Sequence, residues 1–169
     1  SEGGVISFRA VLEHAAGNVT LGDGAGTAVP GTISTGTLTV DTTPPADFTT
    51  GSVVTHGAPV RAGYWNSGNT GVTVTVPIAS GVLGGKVGLQ AKVDDFPGGN
   101  PGGYEELGSR ISVLGADVGA GIKDFVVTLG DLGGLTGYSE GGVISFRAVL
   151  EDAAGNVTLG DGAGTAVPG

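Results

Sequence analysis

The sequence predicts an all-β protein, an antiparallel β-sandwich of about seven strands cut from a tandem array. Three observations carry that reading. Apolar β-branched residues alternate with polar ones in short runs, the connections between runs are glycine-rich, and one 31-residue segment occurs twice. Alternation with period two gives a strand one buried face. Short strands joined by turn chemistry close into a sandwich rather than a helical bundle.

The strands follow in chain order. A first strand is expected around 48–60. GVTVTVPI (71–78) sets Val72, Val74, Val76 and Ile78 on one face, with Thr73 and Thr75 on the other. KVGLQAKVD (86–94) aligns Val87, Leu89, Ala91 and Val93. A fourth strand is expected around 104–114, where RISVL lies, and a fifth around 122–129 in KDFVVTL. GVISFRAVLE (142–151) aligns Ile144, Phe146, Ala148 and Leu150 as the sixth. TGTLTV (35–40) supplies the pattern of the seventh. Between them ASGVLGG, DDFPGGNPGG, LGADVGAG and GDLGGLTG read as turns. The predicted loops then alternate between two poles. ASGVLGG, LGADVGAG and EDAAGN share the pole of the domain's N-terminus, and YWNSGNTG, DDFPGGNPGG and GDLGGLTGYSEGG share the other.

Residues 1–31 and 139–169 are identical except that Asp152 stands where the first copy has His14. Position 139 restarts position 1, so the period is 138 residues. Solenoids and propellers repeat every ~20–50 residues; this period is a whole domain. The boundary is placed at VDTTPPA (40–46), because two prolines cannot continue a central strand. Residues 1–43 then hold the last two strands of one repeat and the linker. Residues 44–169 hold the next domain up to its sixth strand and the following loop. The seventh strand is expected from Thr32–Val40 of another chain, head to tail, or from the continuation of a natural fibre.

Composition narrows the functional classes. The 169 residues include 36 glycines and 8 prolines without a collagen period, and the mean hydropathy is positive, which argues against disorder. There is no cysteine, so no disulfide framework. The net charge of −9 disfavours nucleic acid and anionic membrane and favours cations as partners. No apolar run approaches the ~20 residues of a membrane span. No signal peptide opens the chain, so export is expected to be specified elsewhere in a longer protein.

TLTVDTTPPA, AGYWNSGNTGVTVTVPI and GGVISFRAVLEDAAGN, together with the repeat, resemble the immunoglobulin-like tandem repeats of giant bacterial surface adhesins, including those with RTX-type C-termini. The likeness covers nearly the whole repeat, and the pairing of D-A-A-G-N with V-D-T-T-P-P is its most specific part. The glycine-rich GDGAGTAVPG before the last strand departs from the usual pattern. The resemblance implies an extracellular stalk or extender on a bacterial cell surface, often rigidified by calcium.

Asp41 of the linker, Asp117, Glu151, Asp152 and Asn156 are candidate Ca²⁺ ligands at the N-terminal pole. Ca²⁺ takes six to eight oxygens in flexible geometry, and Gly155 and Asn156 suit a tight turn with exposed carbonyls. The alternative is a polar hairpin turn. His14 would remove a hard ligand from the first copy. Asp94, Asp95, Glu105 and Glu106 flank the Gly-rich loop at the other pole as a second acidic group, either an interdomain site or solvated charge. Tyr64 and Trp65 either stack on a sugar ring as a carbohydrate-binding platform or plug the end of the core. Asn18 and Asn156 open N-V-T sequons and read as turn residues. GDGAG lacks the strand–turn–helix setting of a phosphate loop. With His14 and His56 the only histidines, no nucleophile motif supports catalysis.

Overall fold

A computed structural model describes residues 3–7, 11–13, 15, 19–21, 37–94, 103–160 and 165–168. The chain divides into two compact units, 1–43 and 44–169.

In the first unit β1 (Val5–Ser7) pairs antiparallel with β4 (Thr37–Thr39), and β2 (Val11–Glu13) pairs with β3 (Val19–Leu21). The β1–β4 ladder continues through Gly3 N donating to Val40 O (2.9 Å) and Val40 N donating to Gly4 O (2.7 Å).

The second unit is an all-β sandwich. One sheet has the order β11 (Ile122–Thr128), β7 (Asn69–Pro77), β5 (Val53–Gly57). The other is centred on β8 (Lys86–Asp94) and β12 (Val143–Glu151), which pair antiparallel over nine positions. On the far side of β8 lie β9 (Glu105–Glu106) and β10 (Ile111–Ser112). On the far side of β12 lie β13 (Val157–Leu159) and β14 (Thr165–Pro168). The edge continues to β6 (Tyr64–Trp65), which runs parallel to β14.

The alternating faces account for the packing. Val72, Val74, Leu89, Ala91, Val93, Ile144 and Phe146 meet Trp65, Val127, Leu132 and Leu135 in one core cluster. Val76, Ile78, Val82, Val87, Val113, Ala148 and Leu150 form a second. Phe125 packs against both.

The segment ahead of β5 laces the sheets together instead of forming one long strand from 48. The Thr158 hydroxyl donates to Pro45 O, and Phe48 packs on the second cluster. Thr50, almost fully buried, accepts from Ala148 N (2.9 Å). The chain then crosses to the other sheet, where Gly51 N donates to Thr75 O (2.8 Å) and Ser52 O accepts from Thr75 N (3.0 Å). A hydroxyl standing in for a strand partner satisfies a buried N–H that would otherwise be costly to leave unpaired.

Two segments expected as turns contain short helices, α1 (Gly115–Ala120) and α2 (Leu129–Gly133). Each starts on a carboxylate at its third position. Asp117 accepts from Leu114 N (2.9 Å), and Asp131 accepts from Thr128 N and its hydroxyl while Thr128 Oγ1 accepts from Asp131 N. The Thr128–Asp131 pair is a capping box, which satisfies donors that a helix start leaves open. The expected seventh-strand position beside β12 is taken by β13 and β14 of the same chain, with Gly160 N donating to Ala148 O (2.8 Å) between them.

Candidate functional site

The N-terminal pole of the second unit gathers three connections. Ile78 N donates to Gly121 O (2.9 Å), Gly84 N to Val113 O (3.2 Å), and Gly85 lies against the backbone of Glu151 and Asp152. The loops after β7, β10 and β12 are therefore neighbours, as the strand alternation predicts. An apolar cleft of about 370 Å³ opens here, lined by Pro45, Phe48, Pro77, Ile78, Val82 and Leu150, with Asp47 and Ser80 as its polar side chains.

Asp152 organises the turn after β12. Its Oδ1 accepts from Ala154 N and Asn156 N, each at 2.9 Å, and its Oδ2 accepts from Asn156 Nδ2 at 2.9 Å. The hairpin closes through Asp152 N to Asn156 O (3.0 Å) and Gly155 N to Asp152 O (3.2 Å). Gly155 supplies the left-handed residue, with φ of 94°. Asp152 is only 6% exposed. The Asn156 side chain, followed by the turn's backbone donors, holds its carboxyl below the usual carboxylate range against the opposing effect of burial.

The other predicted ligands have separate partners. Glu151 pairs with Arg110 (2.9 Å) and more loosely with Lys86 (3.7 Å). Asp117 binds Lys123 (2.8 Å) through Oδ1 and Leu114 N through Oδ2. That ion pair, then the backbone bond, lowers its pKa. Asp41 belongs to the first unit, where its Oδ1 accepts from Thr43 N (3.3 Å). Among the described residues no three acidic or histidine side chains converge. The second unit thus brings Asp152 and Asn156 together but distributes Glu151 and Asp117 to cations. As arranged, the carboxylates of Asp117, Glu151 and Asp152 each accept from donors of the protein itself.

At the other pole Asp94 pairs with Lys92 (2.8 Å), whereas Glu106 lies in mid-sheet opposite Gln90, accepting from it (2.9 Å) and pairing with Arg110 (2.9 Å). Glu105 accepts from Thr136 N (3.1 Å). Asp95, His14 and Asn18 lie outside the described residues. Trp65 is 2% exposed and donates from Nε1 to the Tyr138 hydroxyl (2.8 Å). It therefore plugs the core and offers no ring face to a sugar, and Tyr64 alone of the pair is exposed. An indole that large is worth more inside the sandwich than on it, provided its N–H finds a partner.

Residue-by-residue reading missed the cations Arg110, Lys86 and Lys123 as members of the pole. Glu151 meets Arg110 across 41 residues of sequence, and no local pattern reports such a pairing. For Lys123 a signal existed, since it lies one strand start beyond the helix that Asp117 caps.

Asp152→Ala is expected to lower the melting temperature by several degrees, and by the same amount in Ca²⁺ as in EDTA. A calcium-dependent stability that vanishes in the variant would instead make Asp152 a ligand. The turn is also acid-sensitive. A carboxyl whose folded pKa is depressed adds stability above the unfolded value of about 3.9. That contribution falls away as the pH drops through the lower folded value. Urea midpoints between pH 7 and pH 2 should therefore decline below about pH 4, less steeply in Asp152→Ala.

Comparison with known proteins adds no relative: no family model, no curated protein and no solved structure matches the chain.

Proposed function

We propose that the chain is a slice of an extracellular stalk, a structural extender that holds a distal binding domain away from a bacterial surface as part of an adhesin or fibre. The observation that carries this reading is the match between repetition and folding. A 138-residue period, restarting at position 139, is broken at Thr43–Pro44 into separately compact units. Repeats that fold singly and are joined by a short Pro-Pro connection add length with each copy. The resemblance to adhesin repeats points the same way.

The test is dimensional. Arrays of one, two and four repeats measured by small-angle scattering should gain a constant increment of maximum dimension per repeat. Growth of a compact particle, roughly as the cube root of mass, would defeat the proposal. Calcium is a separable part of it. An ion stiffening the array would have to engage the linker carboxylate Asp41, and it would show as a Ca²⁺-dependent increase in length that Asp41→Ala removes. A carbohydrate-binding module remains the competing class, and with Trp65 buried it would have to use Tyr64 on its own. Glycan-array binding lost in Tyr64→Ala would favour it.

A further inference from the structure

The two units place different segments in one register on the same strand of the repeat. In the first, Leu38 lies opposite Ile6 and Thr37 opposite Ser7. In the second, Ala166 lies opposite Ile144 and Thr165 opposite Ser145. Ile144 and Ser145 are Ile6 and Ser7 one period later. T-L-T-V and T-A-V-P therefore compete for one edge, and both run antiparallel to the strand that receives them.

The two occupants are unequal. Thr37–Thr39 makes three register pairs, and Val40 extends the ladder to Gly3 and Gly4. Thr165–Pro168 makes two pairs with β12. Pro168 has no N–H to donate, whereas Val40 donates. Leu, Thr and Val also suit a strand better than Ala and Pro. In the first unit β4 has a single partner strand among the described residues, and an isolated two-stranded ladder is marginal in water. Beside β12 the same segment would enter a seven-stranded sheet, with Thr39 and Val40 at the positions from which Val167 and Pro168 pair with Tyr64 and Trp65. Thr32–Val40 carries no charge, so the net negative charge of the chain does not oppose its entry.

We propose that the β12 edge at Val143–Ser145 is a strand-exchange site whose occupant is Thr37–Val40 of a second copy of this chain, displacing Thr165–Pro168 in register. The chain's own segment is too short-tethered to do this. Thr158 lies opposite Leu150 and holds Pro45, so Pro45 is fixed near the Leu150 end of β12. Val40 would have to sit opposite Gly142, eight residues back along that strand, roughly 26 Å away at ~3.3 Å per residue. Val40 and Pro45 are five Cα steps apart in the chain, a reach of at most about 18 Å. The proposal is independent of the extender reading: it concerns which strand completes the sheet, whatever the array does.

The probe is the labelled peptide TISTGTLTV, titrated into the full chain by fluorescence anisotropy, with molar mass followed by light scattering over the same concentrations. Saturable peptide binding and a mass rising above one chain are expected. The peptide carrying Leu38→Pro should bind at least ~10-fold more weakly, because it loses a ladder donor. A chain extended by TISTGTLTV after Gly169 should neither bind the peptide nor self-associate. Absence of peptide binding, or binding indifferent to Leu38→Pro or to the extension, overturns the proposal. Array dimensions would then still report separately on the extender reading.

Discussion

Phe146→Ala is expected to destabilise the second unit by about 3–5 kcal/mol, the usual cost of emptying a buried aromatic site. Phe146 is 0% exposed at the middle of β12, opposite Ala91 on β8, and it belongs to the core cluster that includes Trp65, Val74 and Leu89. The loss combines the transfer free energy of the ring with a cavity that two hydrogen-bonded neighbours cannot collapse to fill. Domains of this size are stable by about 5–15 kcal/mol, so the variant retains a small remainder and unfolds at much lower urea. Trp65 is the single tryptophan and is buried in the same cluster, so its fluorescence follows the transition directly. Phe146→Leu, which keeps most of the volume, should cost about 1 kcal/mol. A Phe146→Ala midpoint within the error of the parent would mean that the two sheets do not pack through this residue.

Gly85→Ala should rank next, at about 3 kcal/mol, although it adds only one methyl group, at a buried position just ahead of β8. A Cβ on Gly85 would lie 1.9 Å from Glu151 O and 2.7 Å and 2.8 Å from the Asp152 carbonyl carbon and Cα. These are backbone atoms of the last residue of β12 and of the turn that follows it, so no side-chain rotation relieves the overlap. The start of β8 must move away from the end of β12, which also disturbs the Arg110–Glu151 pair and the Asp152 turn. Gly81→Ala, four residues earlier and facing open space, should be close to neutral. Equal midpoints for the two variants would show that the approach of these backbones is looser than the structure has it.

Much of the fold was legible from alternation. KVGLQAKVD is a strand over 86–94, as its pattern predicts, and GVTVTVPI and GVISFRAVLE hold the strands expected of them. The short helices were read as turns because Gly-rich stretches carry little helical propensity. Their signals were the carboxylates three residues into each, Asp117 and Asp131, which fix a helix start even where the interior is weak. At the candidate site, the Asp152–Asn156 turn was legible, since an aspartate ahead of Ala-Ala-Gly-Asn closes on its own backbone. The partners of Glu151 and Asp117 were not.

The sequence by itself determined what is local or repeated: all-β character, the buried faces of β7, β8 and β12, the 138-residue period and the turn around Gly155. These follow from side-chain alternation and backbone preference within a few residues. Only the tertiary structure decided what depends on distant neighbours. It put Trp65 inside against Tyr138, paired Glu151 with Arg110, and set Thr165–Pro168 in the register that Thr37–Thr39 holds in the other copy. The physical reason is that a strand's pattern specifies which face is buried and leaves its edge open to any strand that can supply N–H and C=O groups at matching spacing. Which charge or which strand fills that edge is settled by what the fold brings beside it.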